Sequence, residues 1–125
     1  MTPTKYRNRP EVSSLAGRRF DSAGERRRGE ELVLAEKAGA IRDLRFQVTF
    51  RLDVNGVHIT NYRADFVYEE GLPHGTPGKT AVEWHSIVED FKGVVTDVYR
   101  IKRALIKACL GIEIRETHAK RGRRA

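Results

Sequence analysis

The sharpest pattern in the chain lies between residues 44 and 54, where Leu44, Phe46, Val48, Phe50, Leu52 and Val54 alternate with Arg45, Gln47, Thr49, Arg51 and Asp53. A period of two sends successive side chains to opposite faces of an extended chain, so this stretch reads as a half-buried β-strand. Asn55-Gly56 follows at once, the pair that best tolerates the positive φ angles of a tight hairpin turn, and the run VHITNYRADFVY, 57–68, supplies an antiparallel partner. Residues 71–79, GLPHGTPGK, read as a Pro/Gly loop, and TAVEWHSIVEDFK, 80–92, as a third strand.

Helical signals flank the strands. Ser22-x-x-Glu25 has capping-box spacing, and the proline-free stretch after it ends at Gly39, which predicts a helix over 23–38. Thr96 or Asp97 can cap a second helix in which Val98, Ile101, Leu105, Ile106 and Cys109 recur at helical spacing, with Gly111 as its stop. Cys109 is then a core residue. A short strand, IEIRE at 112–116, completes the order α-β-β-β-α-β, an α/β domain with a mixed central sheet flanked by helices.

The ends have no such periodicity. Residues 1–19 and 118–125 are rich in Arg and Lys and read as basic arms around one domain at 20–117. A chain of 125 residues is long enough for one core and too short for two substantial ones. No apolar run approaches the roughly 20 residues of a membrane span, the polar start MTPTKYRNRP lacks a secretory h-region, and the lone cysteine excludes an internal disulfide framework. A cytoplasmic location is expected. Lys and Arg outnumber Asp and Glu by 24 to 17, for a net charge of +7. That balance suits a phosphate backbone as partner, although overall charge does not say where the charges sit.

Against this background one tripeptide stands out. Asp90-Phe91-Lys92 is the only Asp/Glu-x-Lys in the chain, and it lies at the end of an apolar strand. Residues two apart on a strand leave the same face, so Asp90 and Lys92 can meet at one site. A carboxylate there can hold a hard divalent cation such as Mg²⁺, and an adjacent ammonium can orient water or meet developing negative charge. Asp65, within YRADFVY, can supply a second carboxylate if its strand neighbours the third. Two roles fit Glu25, a further metal ligand or a capping residue only, and the capping box accounts for it fully. Glu89 points to the opposite face from Asp90 on an ideal strand. Gln47 on the polar face of the first strand, and Tyr99 and Lys102 on one face of the second helix, are candidates for contact with nucleic acid, or for simple packing and solvation.

Two decoys can be set aside. GTPGKT at 75–80 looks like a phosphate-binding loop, but Pro73 stands where the first glycine belongs and a strand follows where a helix is needed, so no nucleotide cofactor is expected. His58, His74, His85 and His118 lie far apart and form no zinc spacing.

Taken together these residues resemble the PD-(D/E)XK nuclease superfamily, and within it a family of small phage and prophage proteins. The likeness runs from Lys5 to Lys102 through Lys5-Tyr6, Gly17-x-x-Phe20-Asp21-Ser22-x-x-Glu25, Leu44-x-x-Gln47, Tyr62-x-Ala64-Asp65-Phe66-x-Tyr68, Val88-Glu89-Asp90-x-Lys92-Gly93 and Tyr99-x-x-Lys102. The resemblance implies a restriction-endonuclease-like core. It implies Asp65, Asp90, Glu25 and the main-chain carbonyl of Phe91 as ligands for Mg²⁺, for which Mn²⁺ substitutes, and Lys92 as the catalytic cation. Ala64 departs from the proline that gives the superfamily its name. The implied activity is endonucleolytic cleavage of duplex or branched DNA by a homodimer, in recombination or replication of phage DNA within a bacterial host cell. A non-catalytic DNA-binding accessory module is the alternative reading, and an RNA-directed nuclease is not separable from sequence.

Overall fold

The structure is a computed structural model that describes residues 9–74 and 81–119. Its elements are β1 (Glu11–Ser13), β2 (Arg18–Phe20), α1 (Ala23–Lys37), β3 (Ile41–Val54), β4 (Val57–His74), β5 (Ala81–Lys92), α2 (Asp97–Leu110) and β6 (Arg115–His118). Strands β3, β4 and β5 form an antiparallel meander turned at Asn55-Gly56, where both residues take positive φ. Strand β6 lies parallel to β5 after the crossover through α2, giving the order β3-β4-β5-β6 in a mixed sheet. The fold is α/β with two helices.

Each helix forms where its caps dictate. Ser22 Oγ accepts the Glu25 amide at the start of α1, and Thr96 Oγ1 accepts the Tyr99 amide at the start of α2. Gly111, at φ 69°, closes α2 in the left-handed conformation. Alternate residues of β4 and β5 feed two cores: Phe66, Tyr68 and Ile87 pack with Leu32 of α1, whereas Val67 and Val88 pack with Tyr99 and Ile106 of α2. The helices therefore cover opposite faces of the sheet.

Several expectations need correction. Residues 11–19 of the expected basic arm form, with Phe20, the β1–β2 hairpin, which packs on α1 through buried Phe20 and through the Ser13 hydroxyl, which donates to Glu30 at 2.6 Å. Strands of three residues are too short to show alternation. Residues 1–8 and 120–125 of the two arms lie outside the described residues. Strand β4 continues through His74, so Gly71–His74 pair with Ala81–Trp84 instead of looping, and residues 75–80 lie outside the described residues. The last strand begins at Arg115, three residues late, and runs into the expected tail, while Ile112 and Ile114 pack against the core before it. On α2 the buried residues are Tyr99 and Ile106, with Leu105 and Cys109 partly covered. Val98 and Ile101 are 63% and 61% exposed, because the apolar stripe is wider than the strip of helix that meets the sheet.

The most informative departure is in β3. Its alternation is not one continuous face: Leu44 and Phe46 belong to the core beneath α1, but Val48, Phe50 and Leu52 belong to the core beneath α2. The change of sides falls at Gln47, which takes φ 54° in mid-strand. A single left-handed residue breaks the period-two rule while leaving the sequence pattern intact.

Candidate active site

Asp65 is the residue of β4 opposite Gln47, because Phe46 pairs with Phe66 and Val48 with Ala64 on either side. The β4–β5 ladder stops at Phe66 and Glu89, so Asp65 and Asp90 form the next rung, at which the two strands part. Asp65 fills that opening. Its Oδ2 accepts the Phe91 amide at 2.9 Å and its Oδ1 accepts from Gln47 Nε2 at 3.3 Å. A strand end that would leave an orphan amide is thus closed by a carboxylate.

Asp90 is 2% exposed. Its Oδ2 accepts the Tyr62 hydroxyl and lies 3.0 Å from Lys92 Nζ. The spacing of two that places Asp90 and Lys92 on one face brings them into contact. The ammonium also sits 4.0 Å from the centre of the Tyr99 ring, a cation–π contact, and the Tyr99 hydroxyl donates to Glu116 at 2.7 Å. Lys92 is therefore held on two sides, by a carboxylate and by an aromatic face that is itself tied to β6.

Glu25 enters from the first turn of α1 and is buried. Its carboxylate accepts the Asp21 amide at 3.1 Å, one residue upstream of the usual capping-box partner. The helix start lies close to β5 because Gly24 has no side chain: a Cβ there would run into the Phe91 ring.

Burial sets the electrostatics. It lifts the Asp65 carboxyl to about 6, with the neighbouring Glu25 adding to the rise and hydrogen bonds from Asp90 and the Phe91 amide opposing it. Burial lifts Asp90 to about 7, with Asp65 adding and Tyr62 and Lys92 opposing. Asp65 raises Asp90 while Asp90 holds Asp65 down, so the two carboxyls titrate together as a pair, both above the ordinary carboxylate range. The Tyr62 phenol is pushed far above its ordinary value by its own burial and by Asp90.

Comparison of the chain with protein-family models, with curated proteins and with solved structures returns no match.

The structure thus brings Glu25, Asp65, Asp90, Lys92 and Gln47 together. Gln47 holds Asp65 instead of facing outward. Tyr99 is 6% exposed, too buried to serve as the surface contact expected of it, because it packs as the platform beneath Lys92. Lys102 is half-buried on α2 and has no recorded contact with the site. Phe91 donates its amide to Asp65, and its ring packs in the core beneath α1. Tyr62 and Glu116 were missed: Tyr62 stands three residues before Asp65, but only the parting of β4 from β5 lets its hydroxyl reach Asp90.

Glu89 faces away from Asp90, as the strand period requires. It is fully buried and takes two hydrogen bonds from Arg28, at 2.7 and 2.9 Å, with others from Tyr68 at 2.5 Å and Thr117 at 3.2 Å. This clamp ties α1, β4, β5 and β6 together directly behind the site.

Among the described residues no group of three or more His, Cys, Asp or Glu side chains stands ready to hold a metal ion. The fit to Mg²⁺ rests instead on the chemistry of the Asp65–Asp90 pair: hard oxygen donors of raised proton affinity, whose protons a divalent cation would displace. No helix among the described residues is long and apolar enough to cross a membrane.

Proposed function

We propose that this chain is an Mg²⁺-dependent DNA endonuclease of the PD-(D/E)XK type, acting on duplex or branched DNA. The observation that carries the reading is the buried Asp65–Asp90 pair with the Lys92 ammonium against it. Packing alone gives no reason to bury two neighbouring carboxyls where burial raises the pKa of both, and such arrangements cluster at functional sites. The order α1-β3-β4-β5-α2-β6, with one acid on the second strand of the meander and the acid-x-lysine on the third, supports the same reading.

In this reading Asp65 and Asp90 hold the cation, with Glu25 as a further carboxylate at the helix start. The bound cation would polarise a phosphodiester oxygen and lower the pKa of water. Lys92, held between Asp90 and the Tyr99 ring, orients the attacking water and stabilises negative charge as it develops at phosphorus. Gln47 and the Phe91 amide fix the Asp65 carboxylate. Symmetric cutting of two strands calls for two sites, so a homodimer is part of the proposal, and a monomeric sedimentation profile with and without DNA would remove it.

The test is incubation with supercoiled plasmid and a labelled four-way junction in Mg²⁺, Mn²⁺ or EDTA, beside Asp90→Ala and Lys92→Ala. Metal-dependent cutting by the wild type alone is expected. If no DNA is cut while wild type and both variants bind it equally well, the chain is a binding module and the catalytic reading fails.

A further inference from the structure

Beyond the Gln47–Asp65 rung, strands β3 and β4 continue as an arm whose two faces differ. Phe50, Leu52, Tyr62 and Ala64 pack inward beneath α2, whereas Thr49, Arg51, Asn61 and Arg63 are exposed. These four form successive rungs: Thr49 pairs with Arg63, and Arg51 with Asn61. Rungs two residues apart on a strand are about 7 Å apart, so the polar face runs outward from Asp65 for about 14 Å.

The charge on this face is unspent. Arg63 has no recorded ion pair or hydrogen bond among the described residues. Arg51 is 66% exposed, and only its Nε engages Asp53, at 3.0 Å, which leaves both Nη groups free to donate. Thr49 and Asn61 add neutral donors between the two guanidiniums. Elsewhere on the described surface six arginines are taken by carboxylates: Arg26 by Glu11 and Glu30, Arg28 by Glu89, Arg42 by Glu69, Arg100 by Asp97, Arg103 by Glu116 and Arg115 by Glu70. Arg51 and Arg63 are a pair with free donors at phosphate-reading spacing, beginning two residues from a candidate catalytic carboxylate.

We propose that this outward face of the β3–β4 arm, centred on Arg63 and Arg51, is the track that receives the phosphodiester backbone of duplex DNA and leads it to Asp65. The inference rests on the nuclease reading for its direction but not for its chemistry. Guanidiniums with free donors match phosphate oxygens, and no carboxylate other than Asp53 stands on this face of the paired strands. The contacts are to backbone, so binding is independent of sequence.

The experiment is fluorescence anisotropy of a labelled duplex with the full chain in Ca²⁺ over a series of salt concentrations. Arg51→Ala, Arg63→Ala and their combination are compared with Arg100→Ala, which removes equal charge from α2. Each arm variant should weaken binding about tenfold and lower the slope of log affinity against log salt by about one, whereas Arg100→Ala stays within about twofold of wild type. Arg63→Lys keeps the cation and should retain the wild-type salt slope, so that a lowered slope in Arg63→Ala follows the charge and not misfolding. If the double variant binds with wild-type affinity and slope, or the wild type binds no duplex, the track is overturned. The two proposals separate cleanly: Arg63-dependent binding without cutting leaves the track standing and removes the nuclease, and cutting that ignores both arginines does the reverse.

Discussion

Replacing Asp90 by Asn should stabilise the metal-free protein at alkaline pH. A carboxyl lifted from 3.8 to about 7 costs the folded state about 4 kcal/mol once pH exceeds both values, at roughly 1.4 kcal/mol per tenfold change in proton affinity. The sign follows from proton counting. Between the two pKa values the folded chain binds more protons than the unfolded one, so stability is highest below the unfolded value and falls as pH rises through the folded one. Asn keeps an oxygen for the Tyr62 hydroxyl and removes the charge, but deprives Lys92 of its carboxylate. A net gain of about 2 kcal/mol at pH 8 is the outcome of those opposing terms. Urea denaturation in EDTA at pH 5 and pH 8 measures it. The wild type should lose stability from pH 5 to pH 8, and the variant should lose much less, with the remainder due to Asp65. The carboxylates held below their ordinary values, Asp53, Glu69, Glu70 and Glu116, titrate below this window and do not confuse it. A variant less stable than wild type at pH 8, or a wild type that gains stability between pH 5 and pH 8, would refute the reasoning.

Two further outcomes follow from packing. Gly29→Ala brings a Cβ within 2.6 Å of Phe20 Cζ, and because that ring is locked against Phe46 the clash should outweigh the helix-propensity gain, costing about 1–2 kcal/mol in urea denaturation. Arg28→Met leaves Glu89 buried without its cation and should cost about 3 kcal/mol by the same assay, most of which the added change Glu89→Gln should restore; a double variant no better than the single would show that the clamp holds by shape and not by charge.

What the sequence revealed and what it hid have separate physical causes. Caps and turns are local, so Ser22, Thr96, Asn55-Gly56 and Gly111 could be read from neighbours in the chain, and so could the shared face of Asp90 and Lys92. Asp65 was legible only on the condition that β4 lies beside β5, which the pairing fulfils. The switch at Gln47 was hidden because a single positive φ leaves no mark on a hydrophobic pattern. The roles of Tyr62 and Tyr99 were hidden because they depend on where β4 parts from β5 and on how deeply α2 sits against the sheet. Residues 11–19 were misread because their order comes from the tertiary contacts of Ser13 and of the adjoining Phe20, not from local periodicity.

The central claim is that Asp65 and Asp90 form a divalent-cation site, and calorimetric titration of Mn²⁺ into the metal-free protein at pH 6 and pH 8 tests it most directly. Binding should be tighter at pH 8, should release a proton at pH 6 as measured in buffers of different ionisation heat, and should be abolished by Asp65→Asn and by Asp90→Asn. Binding of equal strength in wild type and both variants, or none in any of them, would contradict the claim.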